Sequence, residues 1–218
     1  MTDYLIVGHG LAGACLAAQL DVSGRSVHVL DKPENNVSST KAAGLYNPIT
    51  GRKMVKTWLA DELFPYLGRF YRSLERKFNV QFLHQRSIYR PFLEVEEQND
   101  WMGKSASAKF DDFVNQVHSS PKFEGLANDP FGGIDLKNSG FLDINSLLSA
   151  SARYWSEQDC YRSEHFDFQR LHLGERVQYK DQEYGTIVFC EGPAVSSNPY
   201  FSWLPIEPLK GEVLELSL

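Results

Sequence analysis

The sequence predicts a mixed α/β (α+β) chain: a Rossmann-like nucleotide-binding domain on a parallel sheet, discontinuous in sequence, with a second domain of antiparallel strands. Three observations carry this. Residues 4–32, YLIVGHGLAGACLAAQLDVSGRSVHVLDK, run as apolar strand, glycine-rich turn, small-residue helix and second apolar strand, the order of a βαβ unit. Residues 185–192, GTIVFCEG, form a continuous apolar run closed by glycine, as expected of a strand buried on both faces of a parallel sheet. Between them lie short strand-like runs separated by Pro, Gly, Asn and Asp, with Gly132 and Gly133 at the centre of the richest stretch, which reads as hairpins. The expected division places residues 1–80 and 141–200 in the nucleotide-binding domain, and residues 81–140 and 201–218 in the other.

The opening stretch is the most specific. Gly8, Gly10 and Gly13 are spaced G-x-G-x-x-G, with His9, Leu11 and Ala12 between them. Gly8 lets the chain leave the first strand sharply, Gly10 lets main chain approach a diphosphate, and Gly13 lets helix and strand pack closely. The helix N-terminus then offers N–H groups and partial positive charge to phosphates. Ala14, Leu16, Ala17, Ala18 and Leu20 continue the helix, Gly24 turns the chain back, and Val27, Val29 and Leu30 form the second strand. Asp31 follows Gly13 by 18 residues, close to the ~20 expected of the acid that accepts ribose hydroxyls, and Lys32 comes next. A lone glycine motif is a common strand-to-helix turn; here strand, glycines, helix, strand and acid all appear in order.

The remaining elements follow from local pattern. Residues 33–48, PENNVSSTKAAGLYNP, read as a long ligand-contacting loop in which Ser38, Ser39 and Thr40 supply hydroxyls and Ala42, Ala43 and Gly44 leave room for a flat group. Trp58 to Phe78 repeats apolar residues every three or four positions, an amphipathic helix whose aromatic stripe belongs to the core, with Pro65 at a kink or break. Val80–Phe82 and Ser87–Arg90 read as strands, Phe92–Trp101 as a short helix or loop, and Phe110–His118 as helical or irregular. Phe141–Gln158 is helical, with Asp143 as N-cap. Tyr161–Phe168, Arg170–Leu173 and Val177–Lys180 suggest an antiparallel meander, and Leu209–Leu216 a last strand.

Composition narrows the function. Lys and Arg number 22 against 28 Asp and Glu, a formal net charge of -6 with no basic block, which argues against a general nucleic-acid or membrane-surface binder. Cys15, Cys160 and Cys190 lack C-x-x-C spacing and read as reduced, mostly buried thiols of a cytoplasmic protein. The six histidines show no H-x-x-x-H pattern, so no metal site is expected. No apolar run approaches the ~20 residues of a membrane span, and the chain opens directly in a core strand rather than a signal peptide.

Four blocks, Val7-Gly8-His9-Gly10-Leu11-Ala12-Gly13 with Asp31-Lys32, then residues 39–48 (STKAAGLYNP), then Thr186 to Gly192, then Leu209-Lys210-Gly211-Glu212-Val213, resemble in sequence and order the D-amino-acid-oxidase-like family of FAD-dependent oxidoreductases. That group includes glycine oxidase, sarcosine oxidase and the oxidase half of the bifunctional wobble-uridine tRNA modification enzyme. The resemblance implies FAD as cofactor, a Rossmann-like FAD domain and an antiparallel substrate domain. By position it implies Gly8, His9, Gly10, Leu11, Ala12 and Gly13 at the pyrophosphate and Asp31 with Lys32 at the adenosine ribose. It also implies Thr40, Ala42, Ala43, Gly44 and Leu45 along the flavin, main chain near Phe166 at the adenine, and Gly192 closing the crevice. Cys190-Glu191 stands where the family commonly has small residues. Family members are considerably longer, so the chain is expected to be a truncated piece, lacking the last flavin-binding segment and the basic residue that clamps a substrate carboxylate.

The implied chemistry is oxidation of a C–N bond in a small-molecule amine or amino acid, by hydride transfer to flavin. No residue is assigned as catalytic; Tyr46, Asn47 and Lys53 read as structural or substrate-contacting. A nucleic acid partner is not expected, tRNA entering only by family analogy, and oligomeric state is open. Two other readings stand beside this one: a dinucleotide-binding fragment without activity of its own, and an NAD(P)-dependent dehydrogenase, which the Ala42-Ala43-Gly44 loop disfavours.

Overall fold

The computed structural model describes residues 2–32, 37–51, 53–105, 107–123 and 125–212. The chain opens on β1 (Thr2–Val7), passes through the glycine loop into α1 (Leu11–Val22) and returns along β2 (Val27–Asp31). The buried face of α1 is Gly13, Ala14, Ala17 and Ala18, small residues that let the helix lie close on the strands. One helical turn, α2 (Ser38–Lys41), leads to β3 (Leu45–Tyr46) and the ribbon β4 (Ile49–Thr50) and β5 (Val55–Lys56). The helix α3 (Ala60–Phe78) continues through Pro65, which removes one main-chain bond without ending it. Then come β6 (Leu83–Gln85), β7 (Ile88–Pro91), α4 (Val95–Lys104), β8 (Val114–His118), β9 (Gly133–Leu136) and β10 (Gly140–Leu142). The chain goes on through α5 (Ile144–Glu157), β11 (Tyr161–Ser163), β12 (Leu171–Leu173), β13 (Val177–Tyr179) and β14 (Gln182–Phe189), and a 3-10 helix spans Gly192–Ser197.

Two compact units result. The first comprises Met1–Ala43, Arg76–Gln81 and the chain from Ile144 on. Its six-stranded sheet has the order β11-β2-β1-β14-β13-β12. The pairs β11·β2, β2·β1 and β1·β14 are parallel, with Tyr4 opposite both Val27 and Thr186, while β13 and β12 are antiparallel additions. Side chains alternate between two cores, as successive strand residues must. Ile6, Val27 and Val29 pack with Ala17 of α1 and Trp155 of α5 on one face. Leu5, Val7 and Leu30 pack with Phe166, Leu171, Tyr179 and Tyr184 on the other.

The second unit comprises Gly44–Glu75 and Phe82–Asp143. It holds three small antiparallel sheets, β3-β10-β6, β4-β5 and β7-β9-β8. Its core gathers Ile49, Met54, Ala60, Phe92, Trp101, Phe113, Ile134 and Leu136. Two acids are buried with their partners. Asp135, 6% exposed, accepts from Lys122 Nζ at 2.6 Å and lies 2.8 Å from His118 Nε2. Asp129 accepts from the Tyr89 hydroxyl and the Lys122 N–H, both at 2.8 Å.

Several expectations need correction. Residues 44–75 cluster with the antiparallel unit and residues from 201 on with the parallel one, unlike the boundaries read from sequence. Val80–Phe82 forms no strand, and β6 starts only at Leu83; the N–H groups of Phe82 and Leu83 both donate to Glu75 Oε1, at 2.9 and 2.8 Å. Val114–His118 is a strand with a bulge between Val114 and Gln116, not a helix. Phe141 belongs to β10, so α5 starts three residues later than expected. The stretch from Tyr161 is no meander at its start: β11 joins β2 in parallel. In β14, Ile187, Val188 and Phe189 are half-buried rather than enclosed on both faces. The expected final strand lies outside the described residues from 213 on, and residues 205–212 form no regular element.

Candidate functional site

The first unit concentrates its polar geometry at the carboxyl ends of β1 and β2, where an open parallel sheet offers a crevice. Gly8 has φ +99°, and a Cβ there would stand 2.4 Å from the Cys190 carbonyl oxygen. A Cβ on Gly13 would stand 1.9 Å from the Gly8 carbonyl oxygen, so neither position admits a side chain. The loop is pinned by Gly8 N–H to Leu30 O at 2.8 Å and by Cys190 N–H to Val7 O at 2.6 Å.

Gly10 is the N-cap of α1 and contributes no side chain to the end of the helix. The nearest atom to a Cβ there is the Ser39 hydroxyl oxygen, at 3.0 Å. That oxygen accepts from the Leu11 N–H at 3.0 Å, so α2 brings a hydroxyl onto the first turn of α1. The first-turn N–H groups have no intrahelical acceptor, and no acid stands in that turn to offset the positive end of the dipole. Ser39 is a candidate for the site that the sequence left undistinguished among three neighbouring hydroxyls.

Asp31 ends β2 and is tied on both carboxylate oxygens. Oδ1 accepts from the His9 N–H at 2.8 Å, and Oδ2 from the Tyr161 hydroxyl at 3.3 Å. The His9 ring is buried, 2.9 Å by Nε2 from Ser151 Oγ of α5 and edge-on to the Tyr161 ring at 5.3 Å. Burial pushes the His9 pKa down to about 4 against the opposing pull of Asp31, so the ring is neutral at pH 7. Burial, with the Asp31 charge, pushes the Tyr161 phenol up, so it stays a donor. Nothing in local sequence pattern joins residues 9, 31, 151 and 161; the β2·β11 pairing brings Tyr161 to Asp31, and α5 brings Ser151 to His9.

The other expected positions fall as follows. Lys32 is exposed just past β2. Thr40 lies in α2, its hydroxyl on Val37 O at 3.0 Å and its carbonyl accepting from Asn145 Nδ2 at 3.4 Å, and Ala42 and Ala43 are exposed. The Phe166 side chain is core, stacked on Tyr179 at 4.6 Å. Gly192 has φ +55° with open space where a Cβ would stand. The Glu191 carboxylate is held by the buried Asn198 amide at 2.7 Å.

Gly44 and Leu45 lie in the second unit. A Cβ on Gly44, φ +69°, would stand 2.0 Å from Leu142 O, fixing glycine there. Leu45 is 69% exposed and shares a sheet face with Phe141 and His84, whose rings stack at 4.5 Å. Among the described residues no group of three or more His, Cys, Asp or Glu is gathered for a metal ion, and no helix is long and apolar enough to cross a membrane.

The model of a family described as FAD dependent oxidoreductase matches residues 3–218. Among solved structures, the chain is similar to iminodiacetate oxidase from Chelativorans sp. BNC1, at 16% identity and TM-score 0.64, over 89% of this chain and 56% of that one. It is similar to glycine oxidase from Bacillus cereus, at 19% identity and TM-score 0.62, over 88% and 57%. Glycine oxidase from Geobacillus kaustophilus matches at 14% identity and TM-score 0.64, over 92% and 58%. The chain thus spans a little over half the length of these relatives.

Proposed function

The chain belongs to the D-amino-acid-oxidase-like family of FAD-dependent oxidoreductases, and from that premise we propose that it binds FAD and takes part in oxidising the C–N bond of a small amine or amino acid. The observation that supports this best is the bare N-terminus of α1, framed by Gly8, Gly10 and Gly13, with the Ser39 hydroxyl on its first turn and Asp31 at the end of the next strand. An uncharged, side-chain-free helix end beside a carboxylate fits a diphosphate next to a ribose. The first-turn N–H groups of α1 and Ser39 would hold the diphosphate, Asp31 the ribose diol, and main chain near Phe166 the adenine. Thr40, Ala42 and Ala43, then Gly44 and Leu45, are proposed as flavin neighbours from their place in the family's second sequence block, and Gly192 as the closure of the crevice.

The chemistry FAD supplies when bound is acceptance of a hydride from a carbon that bears an amine, leaving an imine for water to hydrolyse. The chain's own part is to bind and orient: the His9 main-chain N–H and the protonated Tyr161 hydroxyl hold the acid, and the glycines keep side chains out of the phosphate path.

The test is the visible spectrum of the purified chain after incubation with FAD and removal of the excess. Flavin absorption at one equivalent, bleached anaerobically by an amine or amino acid, is the expected result. Flavin absorption without bleaching by any amine tried would support the second reading, a binding module whose chemistry needs more chain than the relatives' overlap covers. A folded, colourless protein that retains NADH would overturn both.

A further inference from the structure

Resting on the FAD reading, we propose that Tyr161 is a positioning residue for nucleotide binding: it holds the Asp31 carboxylate in the orientation that meets the ribose diol. A carboxylate on an open strand end rotates freely unless both oxygens are engaged. Here Oδ1 is fixed by the His9 N–H of the glycine loop and Oδ2 by the Tyr161 hydroxyl of β11. Each oxygen has a second lone-pair direction, and those two are what remains for a ligand's hydroxyls.

Tyr161 is itself held. Its strand is registered on β2, with Tyr161 opposite Val29 and Ser163 opposite Asp31. Its ring takes the His9 imidazole edge-on, and that imidazole is tied to Ser151 of α5. Two separate segments, the glycine loop and β11, therefore converge on one carboxylate, with α5 behind the His9 ring, and without the phenol Oδ2 would lose the donor described here. In this proposal the hydroxyl acts through Asp31, whose Oδ2 it meets at 3.3 Å.

The 218-residue chain is titrated with ADP and with 2′,3′-dideoxy-ADP by calorimetry, for the wild type, Tyr161→Phe, Asp31→Asn and the double variant. Tyr161→Phe keeps the ring against His9, and a melting temperature within a few degrees of wild type confirms that the fold is intact. We expect it to weaken ADP about fivefold to tenfold, the net worth of one ordinary hydrogen bond, since the phenol acts on the ligand only through Asp31, and to leave dideoxy-ADP unchanged. In the Asp31→Asn background the Tyr161 change should have no further effect, because the orientation it sets no longer matters. Equal weakening of both nucleotides would overturn the proposal, as would unchanged ADP affinity or full additivity in the double variant. No ADP binding by the folded wild type would overturn the FAD reading itself, a result distinct from all of these.

Discussion

In a Gly10→Ala variant the new methyl stands 3.0 Å from the Ser39 hydroxyl oxygen, and among the described residues beyond its chain neighbours and its own helix only Ser39 lies within 4 Å of it. The backbone there, φ −72° and ψ −172°, accommodates alanine without strain. The hydroxyl swings aside and the Leu11 bond is lost, costing about 1 kcal/mol. The restricted unfolded chain returns about 0.4–1 kcal/mol. Stability should therefore change by less than about 1 kcal/mol, a shift in melting temperature of no more than roughly 2–4 °C. Binding should suffer more, since the methyl occupies the diphosphate's approach and Ser39 is displaced: FAD affinity should fall at least tenfold, about 1.4 kcal/mol. Gly13→Ala is the contrast. Its Cβ would meet the Gly8 carbonyl oxygen at 1.9 Å, a main-chain atom that cannot step aside, so fold and binding should fail together, with a loss of about 3 kcal/mol or more. Melting by circular dichroism and FAD titration by flavin fluorescence read the two effects separately. Wild-type FAD affinity in Gly10→Ala would refute the assignment of the helix end, and a melting temperature as low as that of Gly13→Ala would refute the distinction between a mobile hydroxyl and a fixed carbonyl.

Other perturbations test other parts. His9, with its pKa lowered from 6.5 to about 4, contributes stability present above pH 6.5 and lost as the pH falls toward 4, on the order of 3 kcal/mol in full. Urea unfolding at pH 7.5 and 4.5 should therefore show wild type losing roughly 2–3 kcal/mol more than His9→Gln; parallel losses would show that His9 is solvated. Phe166→Ala should cost about 3–5 kcal/mol in denaturant unfolding, because the ring fills the core against Tyr179. A cost below about 1 kcal/mol would mean the ring does not pack there. Lys122→Ala leaves the buried Asp135 with His118 alone and should destabilise by roughly 3 kcal/mol at pH 7. An unchanged urea midpoint would count against a working buried pair.

What was legible in the sequence is what local spacing determines. The glycines, the small residues of α1 and the apolar runs of β1 and β2 are set within 30 residues, and the structure forms them where expected. Leu171 to Phe189 also showed its hairpin turns, giving β12, β13 and β14. What stayed hidden depends on partners distant in sequence. Strand β11 has three residues, too few to show a period, and becomes parallel only by meeting β2. Val114–His118 carries Asn115 and Gln116 mid-strand, which mask alternation and coincide with the bulge. The same limit governs the site: Gly8, Gly10, Gly13 and Asp31 announce themselves by spacing, whereas Ser151 and Tyr161 reach the loop through tertiary contacts that no motif encodes.

The register of Tyr4 against Thr186 also sets a timetable for folding. During synthesis β1 and β2 emerge at once, but the strand that closes the other side of β1 follows only after the whole inserted unit has been made. At about 5–20 residues per second, the open edge of β1, with Leu5, Ile6 and Val7 in it, waits on the order of ten to forty seconds for β14. Residues 44–143 are complete well before then. The inserted unit can therefore be finished while the nucleotide half is still an unpaired strand edge, the state in which a nascent chain is most exposed to aggregation and most in need of a chaperone.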